Sequence, residues 1–131
     1  MLRFGWRHIP WDLAAGRGEA QRVPSLAEMR ATVDRMLAEL QVEGMDAHRL
    51  REIETILRLL MRHLNRSVAD AVNRVGNTVP LERASDALRG MREAMTWVET
   101  HRDDTDVASI RRRLTDAARA GSGVVSAIET L

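Results

Sequence analysis

The side chains able to do chemistry in this chain form a short list. It has four histidines (His8, His48, His63 and His101), twenty arginines and nineteen carboxylates, but no cysteine, lysine or tyrosine. Without cysteine, disulfides, thiolate metal sites and a thiol nucleophile are excluded together. Without lysine there is no Schiff-base chemistry. Imidazole remains, as nucleophile, proton carrier or metal ligand. Arginine remains too, whose planar fork suits carboxylates and phosphates. No glycine-rich phosphate loop, nucleophile elbow or paired-carboxylate motif accompanies them. The expectation is a protein that is not an enzyme.

Two histidine patterns stand out. In "MRHLNRSVADAV", His63 is followed by Arg66 at i+3 and Ser67 at i+4, and preceded by Arg62. The run resembles histidine phosphotransfer domains, small helical bundles with an accessible histidine, a basic residue at i+3 and a small residue at i+4. That family's usual Lys-Gly is Arg-Ser here. The resemblance implies a phosphoacceptor at His63, with Arg62 and Arg66 holding the phosphoryl group. This is the alternative to a non-catalytic role.

The second pattern joins His48-x-x-x-Glu52, His63 and His101-x-x-x-x-Asp106, which resembles part of the diiron set of hemerythrins. The further histidine pair that family needs is missing, since Ser67 stands four residues after His63. The Glu-x-x-His repeats of carboxylate diiron bundles are missing as well. Neither a metal nor another cofactor is therefore expected, and these histidines read as solvated surface groups.

Arginine is concentrated in "SIRRRLTDAARA" and in the row Arg58, Arg62, Arg66. Clustered positive charge is what phosphate contacts require. Arg111 to Arg113 do not share one helix face, however, and Asp103, Asp104, Asp106 and Asp116 surround them. With a net charge of +1, the balance argues against nucleic acid.

A different signal opens the chain. Three of the four aromatic rings fall in "FGWRHIPWDL", where Phe4, Trp6, Ile9, Trp11 and Leu13 present large apolar area. Pro10 interrupts a helix there, and "AAGRGEAQRVP" reads as a flexible joint. Fully burying one such side chain stabilises by roughly 1.5–3 kcal/mol, so the segment is expected to dock. Its seat is the protein's own bundle, a protein partner or second copy, or a membrane surface touched peripherally. Trp and Arg are favoured interface anchors.

The elements that must position these groups are helical from Ser25 onward. "PSLAE" sets a capping box with Ser25 and Glu28. Leu26, Met29, Val33, Met36, Leu37 and Leu40 follow at three- and four-residue steps. Gly44 closes this helix and Asp46 caps a second. The second bears Leu50, Ile53, Leu57, Leu60, Leu64, Val68, Ala71 and Val75, and stops at Gly76-Asn77. Pro80 starts a third, with Leu81, Ala84, Leu88, Met91, Met95 and Val98. After residues 101–106, Asp104 or Thr105 is expected to cap a fourth. It bears Val107, Ile110, Leu114, Ala117, Val124, Ile128 and Leu131, and Gly121 and Gly123 weaken it. Leu59 falls opposite the apolar stripe of the second helix and Trp97 flanks that of the third. Both are read as exposed residues hinting at self-association.

The expected fold is all-α: an antiparallel four-helix bundle with coiled-coil-like heptad packing. Residues 1–24 form an irregular aromatic arm and joint, and residues 25–131 the bundle. With 131 residues, 44% hydrophobic and 30% charged, the chain is large enough for one core and too apolar for intrinsic disorder. Arginine in place of lysine fits a GC-rich bacterial genome. No apolar leader region is visible, and a cytoplasmic location is expected. The functional expectation is a helical adaptor, assembly or scaffold protein that docks a partner or second subunit through Phe4, Trp6, Ile9, Trp11 and Leu13. A histidine phosphotransfer or signalling role through His63 is the alternative, and nucleic-acid binding comes third.

Overall fold

The computed structural model describes residues 23–103 and 105–131, and among these the chain is entirely helical, with no strand. Four helices follow in order: α1 (Leu26–Leu40), α2 (Ala47–Val75), α3 (Val79–His101) and α4 (Val107–Glu129). Among the described residues, no helix is long and apolar enough to cross a membrane. Phe4, Trp6, Ile9, Trp11 and Leu13 lie outside the described residues.

Each helix begins where a side-chain oxygen satisfies an otherwise orphaned backbone donor. Ser25 Oγ accepts from Glu28 N at 3.1 Å while Glu28 Oε1 accepts from Ser25 N at 2.7 Å, completing the capping box. Asp46 Oδ1 accepts from Arg49 N at 2.9 Å, and Thr78 Oγ1 from Leu81 N at 3.4 Å. At α4 the cap is Asp106, whose Oδ1 accepts from Ser109 N at 2.8 Å, and not Thr105. The carboxylate nearest the first turn takes that place, and Asp104 lies outside the described residues. Gly44 and Gly76 have φ of 76° and 78°. At Gly76 this backbone caps α2, whereas α1 ends earlier than expected, with Gln41 as a right-handed cap, and Gly44 turns the connection that follows.

α4 organises the packing. It contacts all three other helices, α3 most extensively, whereas the backbones of α1 and α3 do not approach and α1 touches α2 only sparsely. Small residues make this arrangement accessible. Gly121 is buried in the middle of α4, where an added Cβ would lie 3.3 Å from Met91 Cε on α3 and 3.5 Å from Val33 Cγ2 on α1. An added Cβ at Gly123 would lie 3.6 Å from Ala87 Cβ. The two glycines expected to weaken α4 thus sit in an unbroken helix. Close packing on two neighbours offsets their poor helix propensity of about 1 kcal/mol each.

Facing three neighbours widens the buried face of α4 to Leu114, Ala117, Ala118, Gly121, Val124 and Val125. The core that results is aliphatic: Met, Leu, Ile, Val and Ala from all four helices. Leu59 and Trp97 are half-buried and packed against it, not isolated on the surface as their spacing implied. In the opposite direction, Val75, Val107 and Leu131 belong to apolar stripes yet are exposed. Each lies at a helix end, past the reach of a neighbour. Arg30 fastens the rim by donating to Ser122 Oγ at 2.9 Å and Ser126 Oγ at 2.6 Å, with Glu129 Oε1 at 3.2 Å.

Two glycines in helix interiors should therefore respond oppositely to a larger side chain. Gly90 has nothing within 4 Å of an added Cβ, so Gly90→Ala should stabilise by about 0.5–1 kcal/mol through helix propensity. Gly121→Leu should destabilise by about 1–3 kcal/mol or more, by driving α4 away from Met91 and Val33. Urea denaturation of both variants checks the pair.

Candidate functional site

His63 projects from the middle of α2 and is half-buried, with Arg62 and Arg66 exposed on either side. Its pKa lies below the ordinary histidine value of 6.5, because burial disfavours the imidazolium and the Arg66 and Arg62 guanidinium groups repel it. A ring of this kind is neutral near pH 7, the form that attacks an electrophile or accepts a proton. Arg58 is not part of the surrounding basic group. It turns to Glu54 at 2.6 Å and approaches Glu99 at 3.8 Å.

The other residues singled out for metal chemistry have separate local roles. His48 is exposed and pairs with Glu52 at 3.7 Å at the start of α2. His101 stacks on Trp97 with ring centroids 4.3 Å apart and planes 14° from parallel, and its Nδ1 lies 2.9 Å from Trp97 O. It is half-buried, a correction to its reading as a solvated surface group. Asp106 caps α4. No three of the described His, Asp or Glu side chains converge to hold a metal ion.

The arginine run on α4 divides three ways. Arg113 lies over the Trp97 ring, 4.7 Å from its centroid, so the indole meets a cation as well as the His101 ring. Arg111 donates Nε–H to Leu40 O at 2.7 Å, capping the last turn of α1. Arg112 is exposed. Arg111 and Arg112 join Arg119, two turns further on, along a groove of about 590 Å³ between α4 and the turn joining α1 to α2. Thr115 and Asp116 lie between them, and Leu40, Met45 and Val107 supply apolar lining. This groove is the strongest concentration of binding chemistry among the described residues. Sequence reading set it aside because three adjacent arginines cannot share a helix face. The available signal was Arg111, Thr115 and Arg119, at i, i+4 and i+8, which do stack on one side.

A second polar cluster escaped sequence reading altogether. Glu54 is only 5% exposed and accepts from both Arg58 and Arg102 at the same carboxylate oxygen, Oε2. Arg102 follows the last residue of α3, so the pair ties the α3–α4 connection to α2. A cleft of about 110 Å³ adjoins it, lined by Leu50, Glu54, Arg102, Val107 and Ile110 among others. The buried carboxylate supplies geometry more than net stability, since desolvation offsets much of its attraction to the arginines.

Comparison with protein-family models, with characterised proteins and with solved structures finds no match for this chain.

The order of damage within the Glu54 cluster follows from burial. Removing both partners (Arg58→Ala with Arg102→Ala) strands a buried carboxylate and should cost about 3 kcal/mol or more. Glu54→Gln should cost less, because each arginine is about one-third exposed and can turn to water. Guanidinium denaturation of the two variants at neutral pH tests that ranking.

Proposed function

We propose that this protein is a non-catalytic assembly or adaptor protein, in which the helices form a rigid platform and the N-terminal aromatic segment docks a protein partner or second subunit. The observation that carries this reading is the composition of the core. Among the described residues it is built from aliphatic side chains, with Trp97 as a half-buried ring at its margin. Phe4, Trp6 and Trp11, with Ile9 and Leu13, are on this reading the side chains that make the association.

The platform is an antiparallel bundle with coiled-coil-like packing, and the order of contacts supports it. Arg30 pairs with Glu129 while Leu40 meets Arg111. Along α3 and α4, Ala87 faces Gly123, Met91 faces Gly121 and Trp97 faces Arg113. Helix lengths support an open flank for docking: α2 has 29 residues and α1 has 15. At about 1.5 Å per residue, α2 exceeds α1 by some 20 Å. We place this assembly role in the cytoplasm of a GC-rich bacterium.

Tryptophan emission from a Trp97→Phe variant tests the docking segment, because only Trp6 and Trp11 then report. Red emission quenched by iodide in the isolated monomer is expected, with a blue shift as the partner or a second copy binds. Blue, protected emission that survives dilution to monomer would return these rings to the protein's own core.

A second reading, phosphotransfer through His63, is favoured by one feature: an imidazole held neutral beside two exposed arginines. Because its folded pKa is depressed, the group contributes stability fully present above pH 6.5 and lost as pH falls toward the folded value. On this reading an acid-labile phosphate forms on the wild type and is lost in His63→Gln. The His63 ring signal should titrate below 6.5 by NMR. Absence of acid-labile phosphate with small-molecule phosphodonors and cell extract alike would remove this alternative.

A further inference from the structure

We propose that the arginine-rimmed groove between α4 and the α1–α2 turn is a second docking site, which takes an acidic peptide segment of a partner protein. The inference rests on residues separate from the N-terminal segment and stands whether or not that segment docks.

Positive charge is left unmatched in this groove. Arg30, Arg49, Arg58, Arg89 and Arg102 all form ion pairs with carboxylates, and Arg113 is committed to Trp97. Other described arginines without such a pair, Arg62, Arg66, Arg83 and Arg92 among them, stand elsewhere on the surface, whereas Arg112 and Arg119 are exposed and share one groove with Arg111. Asp116 is the single carboxylate lining the groove. Asp106 caps Ser109 N, and its charge, which interacts with Arg112, lies just outside that lining. The lining itself holds three guanidinium groups against one carboxylate.

One of the three arginines is preorganised. Arg111 is half-buried, and its Nε bond to Leu40 O fixes the plane of its guanidinium while leaving its two terminal nitrogens for a ligand. Holding a planar fork in place reduces the rotamer entropy lost on binding a carboxylate.

The length of the groove selects the ligand. The arginines span two helical turns, about 12 Å, a distance matched by a few residues of peptide. Nucleic acid demands a longer stripe of positive charge than these two turns present. The lining also includes Leu40, Met45 and Val107, the last 41% exposed. An apolar floor beneath a basic rim fits an amphipathic segment, with acidic side chains flanking an aliphatic one. The chain's own N-terminal segment is a poor charge match. Its Arg3, Arg7, Arg17 and Arg22 outnumber Asp12 and Glu19.

The test uses the full-length protein and a fluorescein-labelled peptide of glutamates interspersed with leucines. Fluorescence polarisation is read at about 50 mM salt, where screening is weak. Binding is expected for the wild type and should weaken about tenfold or more in Arg112→Glu/Arg119→Glu. The control is Arg83→Glu/Arg92→Glu, which reverses two exposed charges on α3 and should bind like the wild type. Circular dichroism confirms that both variants stay folded. Three results would overturn the proposal: no binding to the wild type, equal binding to both charge-reversed variants, or equal binding when glutamine replaces glutamate in the peptide. Tighter, Arg112- and Arg119-dependent binding of a single-stranded DNA oligonucleotide would reassign the groove to nucleic acid and overturn it as well.

Discussion

The close approach of α4 to α3, with α1 packed against the other side of the same glycine, is the constraint on which the remaining geometry depends. Gly121 brings one point of α4 within van der Waals reach of Met91 and Val33 together. A side chain of ordinary size there would separate the helices. With α4 held at that depth, Arg111 reaches the last turn of α1, Arg113 reaches Trp97, and Ser122 and Ser126 reach Arg30. The polar contacts at the rim are consequences of an apolar and steric decision made in the core.

Arginine in this molecule has several physical roles, and separating them shows which guanidinium groups on α4 are committed to the fold. Some arginines neutralise carboxylates at the rim, as Arg49 does with Glu39. Two converge on the buried Glu54, where they compensate a charge that the interior would otherwise reject. Arg113 packs as a flat cation on an indole and Arg111 caps a helix. Once these are subtracted, the unmatched positive charge along α4 concentrates in one groove. The near-zero net charge concealed that local imbalance, because net charge averages over surfaces that never meet the same ligand.

Much of the fold was legible before any coordinates. Ser25 with Glu28, Asp46, Thr78-Val79-Pro80, Gly44 and Gly76 punctuate the chain through forces acting within four or five residues. The apolar stripes named most of the core. Reading failed where a helix has more than one partner. Ile56, Ala118 and Val125 are fully buried outside the stripes, because α2 and α4 each face more than one neighbour. Leu59 and Trp97, read as exposed, are covered for the same reason. The candidate groove was half legible: its arginines and their spread over several faces of α4 were conspicuous, but the meeting of Arg111, Arg112 and Arg119 with Leu40 and Met45 in one groove was not.

By itself, the sequence determined where helices begin and end, that they pack through aliphatic faces, and that three of the four rings fall in one N-terminal segment. These are local properties, set by capping hydrogen bonds, left-handed glycines and a repeating apolar period. Only the tertiary structure decided which charges are buried, which are matched and which remain. Glu54 and Arg102, and Leu40 and Arg111, are distant in sequence and meet only when helix faces come together. A charge is costly, useful or inert according to what lies within a few ångströms of it, and that neighbourhood is set by the packing of helices that the sequence lists but does not arrange.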